Sequence, residues 1–228
     1  MTRDQKFDKW LRWLKAIDEQ VTAVFFHREV WLGFRGVIEA NKALPPSIYF
    51  QSVALSYGAS QAVAVRRIAE EATKHRPVAS LGCLIADIRD NPQELTPARW
   101  LDGVPDALER SVIARDWDRH FGGSVHKHLD PAIASTDVDS LRGATDPIKN
   151  YVDEYVAHSD INPTSSLPAY ADLHSAIDCV GKLFGKYKLL LTATDWSFVG
   201  IALPPGWQRI FAMPWAASSA ESPRRGHP

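Results

Sequence analysis

The residues best suited to acid–base chemistry lie between Tyr151 and Asp160, in the run YVDEYVAHSD. His158 ends an apolar, helix-like stretch, and an imidazole can change charge near neutral pH and transfer a proton. Tyr155 precedes His158 by three residues, which places both side chains on one side of a helix. We therefore predict that His158 is catalytic, with Tyr155 and Asp160 beside it. The alternative is a partly exposed histidine that closes a helix, with Asp160 capping the next turn.

Chemistry on a phosphodiester also needs a positive group that holds the phosphate. The candidate RNA-binding cations are Arg66, Arg67 and Lys149. Lys149 lies nine residues before His158, about 13.5 Å along a helix axis, which is too far for direct cooperation within one subunit. Arg66 and Arg67 lie near the end of an earlier helix and could approach through the fold. The competing interpretation of this pair is an ordinary ion-paired helix end.

Other polar clusters give weaker signals. Ligand-type side chains lie close together at His120, His126, His128 and Asp130. Neither a cysteine pair nor an HExxH motif accompanies them, so a solvated loop is favoured, with no metal. The last long helix carries three lysines, which indicate a solvated face or a nucleic-acid contact; they are Lys182, Lys186 and Lys188. His174, at the start of that helix, is expected to be structural. No phosphate-binding loop or dinucleotide fingerprint is present, so we expect no cofactor.

Apolar residues recur at steps of three, four and seven along most of the chain, which is the pattern of helices. We expect helices over 4–41, 47–74, 80–91, 108–121, 146–158 and 173–195, and a single turn around Trp100. The helix over 47–74 is apolar on nearly all sides, which predicts a place at the centre of a bundle. Between helices, 122–135 is expected to be a loop, and Thr136 with Asp139 to cap a short segment.

These elements predict an all-α, antiparallel helical bundle with long helices. A single domain would span residues 1–215 and end in an irregular, Trp-rich segment whose large rings lie back on the bundle. That segment contains Trp207, Phe211 and Trp215. The polar tail at 216–228 is expected to be disordered.

Composition limits the function classes. The chain has 228 residues, 45% hydrophobic and 23% charged, with a formal net charge of -1, so no global basic field attracts nucleic acid. No apolar run approaches the roughly 20 residues of a membrane span, and the polar start does not resemble a secretory signal. The two cysteines, Cys83 and Cys179, lie in apolar helical stretches. Buried free thiols favour a reducing compartment, so we expect a cytoplasmic protein without a membrane partner.

Several segments together resemble a known family. They are an early tryptophan-rich helix (Trp10, Trp13, Trp31), the run AVAVRRIAEEATKHRPVASLGCLIADIRDNP at 62–92, IKNYVDEYVAHSD at 148–160, LHSAIDCVGKLFGKYKLLL at 173–191, and the ending with Trp207, Phe211 and Pro214-Trp215. In order and spacing these segments, which cover most of residues 5–215, resemble the AbiU-like abortive-infection group of the HEPN superfamily.

The resemblance implies a helical bundle that pairs into homodimers, RNA cleavage without a metal in active members, and roles as toxins or in phage defence. HEPN nucleases place an arginine before a histidine with four to six residues between them. His158 matches the histidine, but the upstream positions hold Tyr151, Val152 and Asp153. Val152 aligns with the arginine, and Asp153 places a negative charge where a phosphate should be attracted. The nuclease motif is therefore degenerate in this chain.

Three functions follow. The first is an RNA-associated or interaction module that has lost cleavage and belongs to a prokaryotic phage-defence or toxin–antitoxin system. The second is an active metal-independent endoribonuclease that uses His158 with a cation from elsewhere, and the third is a structural bundle without a nucleic-acid partner. The expected partners are a second copy of the chain, RNA, and an antitoxin or defence protein. We expect the helix that carries His158 near the dimer interface.

Overall fold

A computed structural model describes residues 3–40, 47–71, 78–102, 107–122, 127–157, 166–194 and 203–212. Its α-helices are α1 (Arg3–Ala40), α2 (Ile48–Ala69), α3 (Leu81–Arg89), α4 (Pro97–Leu101), α5 (Ala107–His120), α6 (Pro131–Tyr151) and α7 (Tyr170–Thr192). Short 3-10 turns occur at Pro92–Glu94 and Trp207–Ala212, and a π turn at Val152–Val156 follows α6. Over these ranges there is no strand, which confirms the predicted all-α bundle.

Contacts between side chains establish the direction of the four long helices. Lys188 of α7 binds Asp18 near the middle of α1 at 2.8 Å, and Asp178, earlier in α7, binds Arg28, later in α1. α1 and α7 are therefore antiparallel. In the same way, α2 is antiparallel to α1, because Trp31 stacks on Tyr57 and Phe34 contacts Phe50. α6 runs opposite to α7, since Asp137 contacts Tyr187 and Ser140 contacts Cys179.

The core forms where the apolar stripes of these helices meet. On α7 the predicted helical spacing is confirmed: every member of its apolar stripe is at most 5% exposed. The stripe consists of Leu173, Ile177, Val180, Phe184, Tyr187 and Leu191. Burial of such side chains contributes about 1.5–3 kcal/mol each, so α7 is a principal source of stability.

Side-chain hydroxyls cap three of the helix starts. The Ser47 hydroxyl accepts from the Tyr49 N–H at 3.2 Å, and the Ser80 hydroxyl accepts from the Cys83 N–H at 3.2 Å. Thr96 caps the turn around Trp100 in the same way. Each hydroxyl satisfies one of the backbone donors that a helix start leaves unpaired.

The interpretation of residues 122–158 was wrong in two respects. Residues 131–151 form one helix, capped by Asp130, whose carboxylate accepts from the Ala132 N–H at 2.9 Å. Thr136 and Asp139 therefore lie inside α6, and Pro147 does not begin a helix but sits within it. Proline removes the N–H that would bind the carbonyl of Gly143. Gly143 is exposed, so water can donate a hydrogen bond to its carbonyl, and the helix continues past Pro147.

The prediction for the second helix was also wrong in part. The second half of α2 is central, with Ala62, Val65 and Ile68 at most 2% exposed. Its first half is not, because Ile48 is 81% and Leu55 is 70% exposed. The helix also ends at Ala69 rather than near residue 74, and residues 72–77 lie outside the described ranges. The number of apolar residues on a helix does not reveal which of its sides the other helices cover.

The C-terminal segment returns to the bundle, as predicted for Trp207. Its ring packs on α1 at Gly33, where an added Cβ would collide with the indole. The ring of Phe211 and residues 213–228, including Trp215, lie outside what the structure describes. Both cysteines are free thiols, Cys83 buried and Cys179 partly so. Of the helices described, none combines the length and apolarity that a bilayer crossing requires.

Candidate functional site

The end of α6 changes its helical geometry just before the predicted catalytic histidine. Residues Val152–Val156 form a π turn, in which the Ala157 N–H donates to the Val152 carbonyl at 2.7 Å. Such single-turn π segments are frequent at functional sites. His158 and Asp160 lie outside the described residues, so their assignment as catalytic stays a prediction.

The position that aligns with the motif arginine faces the core. Val152 is 2% exposed, so a side chain at this position is packed against the bundle and does not reach a ligand. Its neighbour Asp153 points outward and accepts a hydrogen bond from Arg66 Nε at 2.7 Å. The fold therefore brings a cation from α2 to the end of α6, where the motif itself supplies none.

Arg66 approaches this turn because α2 and α6 pack side by side. Its ion pair with Asp153 is partly open, with side chains 34% and 38% exposed. The interpretation of Arg66 as an ion-paired residue is confirmed. Within the described part of the chain only Nε of Arg66 is bonded, which leaves both Nη groups able to donate to a ligand. A guanidinium can hold a phosphate through these groups.

The remaining predicted site residues lie around this pair. Arg67 follows Arg66 on α2, Lys149 precedes Asp153 by four residues, and both are exposed. Tyr155 is 38% exposed, and its ring stacks on that of Tyr151 with centroids 5.9 Å apart. The structure thus places Arg66 in contact with the turn that carries Tyr155. It neither confirms nor contradicts a catalytic role for Tyr155 or RNA binding by the three cations.

A cavity of about 180 Å³ lies beside the turn. α2 contributes Gly58 and Ala62, α6 contributes Ile148 and Tyr151, and Tyr170 begins α7 on the far side. No charged side chain is part of its wall. Sequence reasoning missed this cavity, although the small residues Gly58 and Ala62 at a four-residue step were a visible signal.

The other polar clusters have structural partners. Lys186 binds Asp137 at 2.6 Å, and Lys188 binds Asp18 at 2.8 Å. Only Lys182 of the three lysines on α7 is unpaired among the described residues, so the basic face predicted there is largely neutralised. His126 lies outside the described ranges, and within them no three His, Cys, Asp or Glu side chains are arranged to hold a metal ion.

His174 has the structural role that its sequence position predicted. Its Nε2 lies 3.1 Å from the Tyr57 hydroxyl. Burial, followed by the nearby Arg28, lowers the pKa of His174, and burial raises the pKa of Tyr57. A neutral imidazole that accepts from the tyrosine hydroxyl fits both shifts. The contact joins the start of α7 to the middle of α2.

A second opening, missed by sequence reasoning, separates the facing parts of α1 and α2. This groove has a volume of about 690 Å³ and mainly aromatic walls. Its rings belong to His27, Trp31, Phe34, Tyr49 and Tyr57. The groove carries no acidic or basic side chain apart from the imidazole, so it offers apolar contact without chemistry.

Comparisons with known proteins give no assignment. No family model matches the chain, and no curated protein or solved structure matches it either. The likeness to HEPN proteins therefore rests on the sequence segments described above.

Proposed function

We propose that this chain is an AbiU-like HEPN protein of a prokaryotic phage-defence or toxin–antitoxin system, and that it acts as an RNA-associated module with a degenerate nuclease motif. RNA would bind at the π turn through Arg66, with the exposed Arg67 and Lys149 as further cations. Binding would be weak and its salt dependence modest, since a few cations on a chain of net charge -1 release few counterions.

The observation that carries this proposal is the ion pair between Arg66 and Asp153. A nuclease of this kind needs an arginine whose charge is available to a phosphate. Here the arginine position is the buried Val152. The cation that reaches the turn is Arg66, and its charge is opposed by the Asp153 carboxylate 2.7 Å away. This arrangement supports attraction of RNA through the open Nη groups, with little stabilisation of charge in a transition state.

The test is binding of a fluorescent single-stranded RNA oligomer at two salt concentrations, with a chelator present. Arg66→Gln should weaken binding several-fold and reduce its salt dependence. Arg35→Gln is the matched control, because Arg35 also donates through Nε to a carboxylate on a helix surface, Glu39. Equal binding by wild type and both variants would contradict the proposal.

A second copy of the chain is the proposed partner. Exposed large apolar side chains support this proposal, because an interface would remove them from water. Those that do not line the cavity include Ile48 on α2 and Tyr155 and Val156 in the π turn. Light scattering at micromolar concentration should report a dimer, and Val156→Glu should dissociate it. A wild-type monomer would contradict this part of the proposal.

The second candidate function, a metal-independent endoribonuclease, is favoured by one observation. Arg66 is held by Nε at the turn that leads to residue 158, with its Nη edge unoccupied by the described residues. In this scheme Arg66 supplies the cation and His158 the proton transfer. Purified protein should then cleave RNA in the presence of chelator, and His158→Ala and Arg66→Gln should each abolish cleavage. If wild type does not cleave RNA, the endoribonuclease proposal is wrong and only the binding proposal remains.

A further inference from the structure

The cavity between α2, α6 and the start of α7 has the properties of a site for one flat, uncharged group. Its volume is about 180 Å³, and an apolar cavity of about 150 Å³ is enough to bind benzene. Gly58 and Ala62 create the space, because neither residue has a side chain beyond Cβ. The Tyr151 ring supplies an aromatic surface in the wall.

The cavity and the Arg66 guanidinium lie on one side of α2. Gly58, Ala62 and Arg66 follow one another at four-residue steps, so they form a single row along the helix. The Cα atoms of Ala62 and Arg66, four residues apart, are separated by about 6 Å along the helix axis. An aromatic group in the cavity would therefore place a linked anion near the Nη groups of Arg66.

The polar groups at the α7 side of the cavity do not bind that anion. The Tyr170 hydroxyl is already committed, because it donates to the Ala54 carbonyl at 2.6 Å. A carboxylate already binds a backbone donor at the start of α7, since the Ala169 N–H donates to Asp172 Oδ2 at 2.8 Å. A carboxylate at this helix start opposes a second anion, so Arg66 is the better phosphate contact.

We propose that the cavity and Arg66 together form a nucleotide subsite, which binds one unstacked base of a single-stranded RNA. The base lies against Tyr151 between Gly58 and Ala62, and the adjoining phosphate binds the Nη groups of Arg66. The inference rests on the proposed RNA association and adds what that function lacks, namely the part of the RNA that the chain recognises. A double-stranded RNA would not use the subsite, because its bases are stacked and paired.

The experiment uses the full chain and two single-stranded RNA oligomers of the same length, one intact and one with a single abasic position. The test variant is Gly58→Leu, whose side chain fills the cavity. The matched control is Gly58→Ala, whose Cβ would meet the Tyr170 side chain at ordinary contact distances, with the hydroxyl oxygen at 3.4 Å and ring carbons at 3.5 and 3.7 Å. A third oligomer carries 2-aminopurine, whose fluorescence falls when the base stacks on an aromatic ring.

Wild type and Gly58→Ala should bind the intact oligomer about tenfold more tightly than the abasic one, within the range for loss of one stacked base. Gly58→Leu should bind both oligomers with the weaker affinity, and its 2-aminopurine fluorescence should stay high. If all three proteins bind RNA but none distinguishes the oligomers, the subsite is wrong and the RNA association stands. If wild type binds neither oligomer, both proposals are wrong.

Discussion

Two ion pairs join neighbouring helices in this bundle, and they differ in what surrounds them. Lys186 and Asp137 pair between α7 and α6, with side chains 27% and 11% exposed, and the buried Tyr187 hydroxyl donates to the same carboxylate oxygen. Arg66 and Asp153 pair between α2 and the π turn, beside a cavity, with both Nη groups of the arginine unbonded among the described residues.

The difference indicates which pair stabilises the fold and which could exchange a partner. At Asp137 the donors are Lys186 and a tyrosine that is 1% exposed, so replacing either partner would leave a polar group in the core. That pair stabilises the fold. At Asp153 water can replace each partner, so the pair contributes little to stability. A partly open pair can exchange its carboxylate for a phosphate, which a closed pair cannot.

The largest expected effect belongs to neither pair but to Val152, the position that aligns with the motif arginine. Val152→Arg would restore the motif arginine, but it would place a charge where Val152 is 2% exposed. We expect a loss of about 3–5 kcal/mol in the free energy of unfolding, the usual cost of an uncompensated buried charge. Urea denaturation of wild type, Val152→Ile and Val152→Arg measures it. An arginine variant as stable as wild type would show that this position opens to solvent.

The next effect distinguishes the two pairs directly. Asp137→Ala removes the acceptor of Lys186 and of the buried Tyr187 hydroxyl, and should cost about 2 kcal/mol in unfolding free energy. Asp139→Ala is the control on the same helix, because Asp139 is 75% exposed and pairs loosely with Arg142 at 3.6 Å. Equal unfolding midpoints for the two variants would remove the proposed contrast.

The effect of Asp153→Asn on stability should be smaller, below about 1 kcal/mol, because both members of the pair are more than a third exposed. The amide oxygen can still accept from Arg66 Nε, so the geometry is kept while the negative charge is lost. Thermal unfolding of this variant beside Asp137→Ala tests the order. A loss larger than that of Asp137→Ala would make the Asp153 pair the structural one.

The smallest expected effect is a pH dependence at His174. Burial lowers its pKa in the folded chain, so the unfolded chain binds a proton there at a higher pH than the folded chain does. Stability from this residue is present above its ordinary pKa of 6.5 and is lost progressively as the pH falls through the lowered value. His174→Gln should flatten that part of the stability profile. An unchanged profile would show that other groups produce it.

Local signals in the sequence predicted much of the fold. Ser47 and Ser80 begin helices because a hydroxyl before an apolar run satisfies the backbone donors within three residues. The interpretation of Pro147 as a helix start was wrong, because a proline is tolerated inside α6 where the carbonyl of the exposed Gly143 can bind water. The sequence did not predict the exposure of the first half of α2 either, since that exposure depends on which other helices pack against α2.

The candidate site was predictable only in part. The run at 151–160 was singled out by its titratable residues and its missing arginine, and its role as a site stays a prediction. The contact that gives the segment a cation joins residues 87 apart, and no local pattern indicates it. Arg66 was a candidate among several cations, and only the packing of α2 on α6 selects it over Lys149 or the lysines of α7.

The most direct test of the account is the affinity of Asp153→Asn for single-stranded RNA at low salt with a chelator. Removing the carboxylate frees the full charge of Arg66, so affinity should rise about threefold to tenfold over wild type. The double variant Arg66→Gln/Asp153→Asn should lose that gain. An affinity that falls or stays the same in Asp153→Asn would contradict the claim that this ion pair is where the chain meets RNA.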